Sequence, residues 1–215
     1  MQIVEEHLRP ACPSCGRTVG AYGVSEGRCR GCVSERQHFA GLVRVGEYKD
    51  RLGALIRAYK YHGRAQLEPL LSGRLAEAVR FAPWFGRAEA IVSVPTHWRH
   101  RWGRPLYAAD ALADVVAGKT GLTRLRLLRR VRAGPHQIGL SFSDRAANVR
   151  GAFALRRGVT MNGARLLLID DVKTTGATLN ECAKVLRAGG AAEVFAAVVV
   201  TVGTDDPTPR DLPLI

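Results

Sequence analysis

The 215-residue chain lacks long hydrophobic runs and a phosphate loop of the P-loop type. No apolar stretch approaches the roughly 18 residues that a membrane-spanning helix requires, so we expect no membrane insertion. Residues 1–10 contain Glu5 and Glu6 and no apolar core of a secretory signal, which predicts a cytoplasmic location. The absence of the Gly-x4-Gly-Lys-Ser/Thr pattern excludes the P-loop class of nucleotide-binding proteins.

Acidic residues are scarce relative to basic ones. The chain has 32 Lys and Arg residues against 19 Asp and Glu residues, which gives a net charge of +13. An excess of this size favours an anionic partner, and nucleic acid and a polyphosphate explain it equally well. Apolar residues make up 47% of the chain, which is enough for the core of one main domain with a small appendage.

Cysteine is also infrequent, but four of the five cysteines form two closely spaced pairs. Cys12 and Cys15 make the first pair, Cys29 and Cys32 make the second, and 13 residues separate the pairs. Two such knuckles can complete a tetrahedral site of four thiolates, for which structural zinc is the favoured metal and iron the alternative. Disulfides are the other alternative, and the lack of a secretory signal favours reduced thiols. Cys182 lies on an apolar helix face and is expected in the core.

Two kinds of apolar segment alternate along the rest of the chain. Helical spacing predicts helices over 52–63, 69–80 and 105–118, and a last helix that follows residue 178. Continuous apolar runs predict strands over 90–94, 122–128, 166–169 and 194–201. This alternation is typical of an α/β fold with a parallel sheet and crossover helices. We therefore expect a four-cysteine zinc ribbon over 1–38, an α/β domain over 39–202 and a flexible tail over 203–215.

The most informative stretch is the decapeptide Ile169-Asp170-Asp171-Val172-Lys173-Thr174-Thr175-Gly176-Ala177-Thr178. A buried strand precedes it and an amphipathic helix follows, so it is predicted to span a strand-to-helix turn, where open α/β sheets bind ligands. The adjacent carboxylates can accept hydrogen bonds from vicinal ribose hydroxyls. The small residues after them let backbone N–H groups converge on a phosphate. The pattern therefore fits a ribose that carries a 5′-phosphate.

The decapeptide resembles the 5-phosphoribosyl-1-pyrophosphate (PRPP) signature of type I phosphoribosyltransferases. The whole chain resembles the ComF family, in which a four-cysteine zinc ribbon precedes a parallel sheet of the type I phosphoribosyltransferase kind, flanked by helices. The matching landmarks are the two cysteine pairs, 59–63, 93–97, 137–141, 145–153 and the decapeptide. One departure is the stretch 104–108, which is Arg-Pro-Leu-Tyr-Ala here and commonly Arg-Gly-Phe-Asn-Gln in the family.

The resemblance implies roles for the residues of the signature. Asp170 and Asp171 would hold the ribose hydroxyls and favour positive charge on the sugar as pyrophosphate leaves, with Mg²⁺ assisting. Capping of the helix is the alternative role for a single Asp. Lys173 points either toward the pyrophosphate or into solvent. The expected cradle of the 5′-phosphate consists of Thr174, Thr175, Gly176, Ala177 and Thr178.

Two loops are expected to complete the site. Thr96 and Arg99 follow the strand 90–94 and are predicted to contact pyrophosphate, Arg99 through its planar donor fork. The segment 129–148 has loop character and resembles the hood loop of this fold, which closes over the reacting centre. Gln137 and Arg145 are its predicted polar anchors, and a purely structural linker is the alternative interpretation.

Three functions fit these observations. The chain could be a phosphoribosyltransferase with an unidentified acceptor, a PRPP-binding regulator without turnover, or a competence accessory protein that acts with single-stranded DNA. The DNA role and a partner helicase are implied by the resemblance alone. Because an acidic pair repels phosphate and has no use in DNA binding, we expect PRPP to be the first ligand.

Overall fold

A five-stranded parallel sheet forms the centre of the fold. The computed structural model describes residues 10–34, 36–95, 108–132 and 149–203. In chain order the strands are β1 (Val24–Ser25), β2 (Arg28–Cys29), β3 (Gly41–Glu47), β4 (Ala90–Ser93), β5 (Thr123–Leu125), β6 (Leu128–Arg130), β7 (Phe153–Leu155), β8 (Arg165–Lys173) and β9 (Glu193–Thr201). The central sheet has the order β3-β9-β8-β4-β5, and all four of its pairings are parallel.

Helices cover both faces of this sheet. Their bounds are α1 (Arg30–Ser34), α2 (Asp50–Tyr61), α3 (Glu68–Arg80), α4 (Ala108–Thr120) and α5 (Ala177–Ala188). Alternate side chains of β8 enter two different cores, as the period of a strand requires. Leu167 and Ile169 pack with α2, α3 and α4, whereas Leu166 and Leu168 pack with α5 and the β6–β7 pair. None of the helices in the described ranges has the length and apolarity to cross a membrane.

Most of the predicted elements are present, with three differences. The segment 122–128, predicted as one strand, contains β5, which joins the central sheet, and the start of β6, which pairs antiparallel with β7. The predicted loop over 129–148 therefore begins in a strand, and residues 133–148 lie outside the described residues. Strand β3 was not predicted, because Arg44 and Glu47 interrupt its apolar pattern. The proposed tail beyond Gly203 also lies outside the described residues.

The four-cysteine segment packs against the β3 edge of the sheet through a buried polar network. Arg44 donates hydrogen bonds to the hydroxyls of Thr18 and Thr201, and Thr18 donates one to Glu47. The Thr201 hydroxyl lies 3.3 Å from the carbonyl oxygen of Gly16, to which it donates. Charged groups are buried only at a high desolvation cost unless they are paired and hydrogen-bonded. This network satisfies Arg44 and Glu47 and fixes the segment to two strands at once.

Candidate functional site

The decapeptide lies where β8 extends beyond its neighbour β4. Pairing with β4 ends at Ser93 and Ile169, whereas pairing of β8 with β9 continues to Lys173 and Thr201. The chain leaves β4 toward β5 on one side and leaves β8 toward β9 on the other, so the sheet order reverses between β4 and β8. Such a reversal opens a crevice at the carboxyl ends of the strands, which is the usual ligand position in open α/β sheets.

The strand is longer than the sequence predicted. Asp170 and Asp171 belong to β8 itself, and the turn proper contains only Thr174, Thr175 and Gly176 before α5 begins at Ala177. The polar residues continue the strand because β9 supplies backbone partners as far as Lys173. The carboxylates are therefore held by the sheet rather than by a loop.

Asp171 contacts the α2 side of the sheet. Its Oδ2 lies 2.7 Å from the Nζ of Lys60, which belongs to the last turn of α2. Asp171 itself is buried. Sequence reasoning did not assign Lys60 to the site, although the residue lies within the family landmark 59–63. An ammonium at this distance forms a charge-assisted hydrogen bond that fixes the orientation of the carboxylate.

Asp170 has a different electrostatic environment. Burial and the adjacent charge of Asp171 raise the pKa of Asp170 to about 8, although Lys60 and a hydrogen bond act in the opposite direction. That hydrogen bond is donated by the backbone N–H of Asp171 to Oδ1 of Asp170, at 2.9 Å. Burial raises the pKa of the Cys182 thiol of α5, and the charge of Asp170 raises it further. The two carboxyl groups therefore lie next to helices on opposite faces of the sheet, Asp171 next to α2 and Asp170 next to α5.

The turn before α5 contains the residues predicted to cradle an anion. Gly176 has a φ of +85°, in the left-handed region that favours glycine. The hydroxyl oxygen of Thr175 accepts a hydrogen bond from the N–H of Ala177 at 3.1 Å. The first N–H groups of any α-helix have no partner within the helix and, with the helix dipole, attract negative charge. All five residues from Thr174 to Thr178 are partly exposed, so a ligand can reach them.

Lys173 is buried, which makes its predicted alternative of pointing into solvent wrong. A Cβ added at Gly176 would lie 2.8 Å from the Cε of Lys173 and 3.6 Å from its Nζ. The lysine side chain therefore lies across the turn, next to the residue that opens the cradle. Its charge is placed beside the position predicted for the phosphate.

A polar cluster supports the end of β4. Arg124 of β5 donates hydrogen bonds to Ser93 at 2.7 Å, to Asp110 at 2.6 Å and to Asp114 at 2.9 Å. It thereby ties the first turns of α4 to the carboxyl end of β4, and sequence reasoning missed it. Thr96 and Arg99 follow directly in the chain but lie outside the described residues, as do Gln137 and Arg145.

The four paired cysteines converge as predicted. The Sγ atoms of Cys12, Cys15, Cys29 and Cys32 all lie within 4.8 Å of one another, and every one of these residues is buried. The Cys12–Cys32, Cys15–Cys29 and Cys29–Cys32 sulfur pairs are separated by 3.7, 3.6 and 3.7 Å. These distances exceed the roughly 2.05 Å of a disulfide. They match the edge of about 3.8 Å that a tetrahedron with Zn–S bonds of about 2.3 Å requires, so the donor set fits a metal such as zinc.

Contacts from α5 reach the chain just after the second cysteine pair. The side-chain amide of Asn180 accepts a hydrogen bond from the N–H of His38 at 2.6 Å and donates one to the carbonyl of Arg36 at 3.1 Å. Between these residues, Gln37 donates to the Sγ of Cys32 at 3.5 Å and accepts from the hydroxyl of Ser14 at 3.0 Å. The four-cysteine cluster and the helix of the cradle are therefore close neighbours.

Comparison with known proteins identifies the family. The chain is 32% identical over 192 residues to Competence protein F of Haemophilus influenzae, an alignment that covers 86% of this chain and 82% of that protein. The chain belongs to the competence protein F family. A DNA utilization protein YhgH of Salmonella typhi is 32% identical over 187 residues, 85% of this chain and 80% of its own length. No protein-family model matches the chain.

The predicted relationship to competence protein F is thereby confirmed. The parallel sheet with helices on both faces and the four-cysteine segment before it also confirm the predicted α/β class with a small cysteine-bearing appendage. Among solved structures, adenine phosphoribosyltransferase of Leishmania tarentolae is similar with a TM-score of 0.46 at 14% identity, over 78% of this chain and 94% of that chain. In this member of the competence protein F family, the two carboxylates of β8 directly precede the turn that leads into α5.

Proposed function

We propose that this chain binds PRPP at the carboxyl end of β8, as a phosphoribosyltransferase-like protein that serves DNA uptake in natural transformation. The observation that carries the proposal is the continuity of Asp170, Asp171 and the Gly176 turn, which places two carboxylates directly before a helix start. A ribose 5-phosphate needs hydroxyl acceptors at one end and N–H donors at the other.

The carboxylates would bind the sugar. Vicinal ribose hydroxyls are donors, and Asp171, fixed by Lys60, is a rigid acceptor for one of them. Asp170, whose pKa burial and the neighbouring charge raise to about 8, would share the task and shift toward its charged form beside a cationic sugar. Both residues would thereby favour the positive charge that develops when the bond from C1 to pyrophosphate breaks.

The turn would bind the 5′-phosphate. The N–H groups of Thr175, Gly176 and Thr178 lie in the turn and at the start of α5, and the left-handed Gly176 turns the backbone toward the incoming anion. Lys173 adds a full positive charge beside them. We also expect Thr96 and Arg99 to contact the pyrophosphate, with Gln137 and Arg145 closing the site. Mg²⁺, bound together with PRPP, would neutralise charge on the departing pyrophosphate.

Calorimetric titration of the full chain with PRPP in the presence of Mg²⁺ tests the proposal. Saturable binding that is weakened by Asp171→Asn supports it, and the absence of binding at millimolar PRPP contradicts it. Pyrophosphate release with candidate acceptors then separates a transferase from a PRPP-binding regulator.

A second function, binding of single-stranded DNA, is favoured by the distribution of charge. The segment 115–169 contains eleven of the 32 Lys and Arg residues but only one of the 19 Asp and Glu residues, Asp144. On and beside the β6–β7 pair, six arginines are exposed: Arg126, Arg129, Arg132, Arg150, Arg156 and Arg157. None of them forms an ion pair with a carboxylate among the residues that the structure describes.

Several arginines elsewhere in the fold pair with carboxylates. Arg165 pairs with Glu89, Arg87 with Glu193, and Arg124 with Asp110. We therefore call the six exposed arginines the arginine arm and propose that it contacts the phosphate backbone of single-stranded DNA, to which unpaired cations bind with release of counterions. The name of the DNA utilization relative accords with this role. A partner helicase remains a prediction from the resemblance.

A further inference from the structure

Asn180 links the four-cysteine segment to the helix of the proposed phosphate cradle. Its amide oxygen accepts a hydrogen bond from the N–H of His38, and its amide nitrogen donates one to the carbonyl of Arg36. A side chain that satisfies a donor and an acceptor two residues apart fixes both the position and the direction of that backbone. The segment after Cys32 is therefore attached to α5 by a two-point contact.

The same residue is attached to the cradle through its backbone. The N–H of Asn180 donates to the carbonyl of Gly176 at 2.8 Å, which is the first hydrogen bond of α5. Gly176 is the residue whose left-handed conformation opens the turn. Only three residues, 177–179, separate Asn180 from it, so a shift of the Asn180 side chain moves the first turn of the helix.

Gln37 extends the contact of Asn180 to the thiolates of the four-cysteine cluster. Gln37 lies between the two backbone groups that Asn180 holds, and its amide donates to the Sγ of Cys32 and accepts from Ser14 of the first knuckle. Groups that hydrogen-bond to a ligand sulfur orient it and tune its affinity for the metal. Metal at the four thiolates would fix Cys32, and through Gln37 and Asn180 it would fix the start of α5.

We propose that Asn180 is a positioning residue that couples metal occupancy of the four-cysteine cluster to phosphate binding at the turn 174–177. This inference rests on the proposed binding of PRPP. Coupling of two sites is reciprocal, so a ligand in the cradle must tighten metal binding by the same factor by which metal tightens ligand binding. Affinity differences at one site lie mostly in the dissociation rate, so tighter metal binding is observed as slower metal loss. Coupling free energies of this kind usually correspond to changes of about fivefold or more.

Metal release measures the coupling without any assay of activity. Zinc-loaded full-length protein is mixed with a chromogenic chelator, and the release rate is recorded with and without saturating PRPP and Mg²⁺. We expect PRPP to slow zinc release about fivefold in the parent. The same slowing is expected in Lys184→Ala, a matched control that changes an exposed side chain one turn further along α5. In Asn180→Ala the effect of PRPP should be lost.

The outcomes separate this inference from the proposed function. If calorimetry shows PRPP binding but release is unchanged, or is slowed equally in Asn180→Ala, the coupling is overturned while PRPP binding stands. If PRPP does not bind, hydrogen exchange decides the coupling by itself. Removal of zinc should then accelerate exchange of the amides of 177–180 in the parent, and unchanged exchange there, or a protein that retains no zinc, overturns the inference.

Discussion

The Nζ of Lys60 lies 2.7 Å from Oδ2 of Asp171, so the last turn of α2 is joined to the projecting end of β8 by an ion pair. Both partners are largely shielded from solvent, and such a pair is strengthened by the low polarity around it. The pair thus connects the packing of a helix with the orientation of a residue in the proposed ribose site.

Asp171→Asn should weaken PRPP binding by about tenfold or more, because a hydrogen bond to a charged group contributes about 1.5–3 kcal/mol. Lys60→Met should weaken it less, since it removes the partner that orients the carboxylate and leaves the acceptor in place. Calorimetry at matched Mg²⁺ on both variants and on the double variant measures their coupling. Strictly additive losses would show that Lys60 does not act through Asp171.

The stability of the protein should depend on pH through Asp170. Its pKa is raised to about 8 in the fold by burial and by Asp171, well above the ordinary value of a carboxyl group. The folded state therefore holds a proton that the unfolded chain has released, so the free energy of unfolding falls as pH rises from about 4 to about 8. Denaturant titrations across this window should show a flatter dependence in Asp170→Asn. An unchanged slope would exclude Asp170 as the cause.

Gly176→Ala should destabilise the fold by about 1–2 kcal/mol and abolish strong PRPP binding, because a residue with a Cβ is strained in the left-handed conformation. The new Cβ would also lie 2.8 Å from the Cε of Lys173. Gly73→Ala in α3 is a matched control, since nothing lies within 4 Å of a Cβ at that position. Alanine in a helix interior should raise stability there by about 0.5–1 kcal/mol. Equal PRPP affinity in the two variants would argue against the cradle.

The cysteine cluster should bind about one zinc per chain, and chelation should unfold the four-cysteine segment while the central sheet persists. Structural zinc supplies folding free energy directly, whereas the sheet has cores of its own. Elemental analysis gives the metal content, and limited proteolysis before and after chelation locates the new cleavage sites. An N-terminal digestion pattern that chelation does not alter would contradict a structural metal.

Binding of single-stranded DNA should weaken steeply with salt if the arginine arm contacts phosphates. Each neutralised phosphate adds about −0.7 to the slope of log K against log salt, so Arg129→Ala with Arg156→Ala should reduce the slope by about 1.4. Arg74→Ala is the control, because Arg74 lies on α3 and already pairs with Glu77. Fluorescence anisotropy of a labelled oligonucleotide gives the slopes. Binding that is independent of salt, or absent at low salt, would assign the charge excess to PRPP recognition.

Elements made by continuous apolar runs were predictable from the sequence. The apolar first half of β8, strand β9 and the face of α5 with Leu179, Cys182 and Leu186 follow directly from local patterns. Strand β3 does not, because Arg44 and Glu47 are buried in it and their partner Thr18 is distant in the chain. A local pattern carries no information about such partners.

The same reason explains what was missed in the site. The decapeptide is contiguous, so its carboxylates and its turn could be recognised from the order of the residues alone. Lys60 reaches Asp171 only because α2 packs on the sheet, and Arg124 reaches Ser93 only because β5 lies beside β4. These contacts depend on strand order, which residue types and spacing do not specify.

The attachment of the cysteine segment to the sheet has a consequence for the way members of this family can be shortened or recombined. A chain that starts at residue 39 would uncover the apolar Leu42, whose N–H now donates to the carbonyl of Pro13 at 2.9 Å. It would also strip Arg44 of Thr18, its partner at 2.7 Å. Exposed strand edges with unpaired backbone groups promote aggregation. Exchange of this segment between relatives therefore requires that the residues facing it on β3 and β9 be exchanged with it.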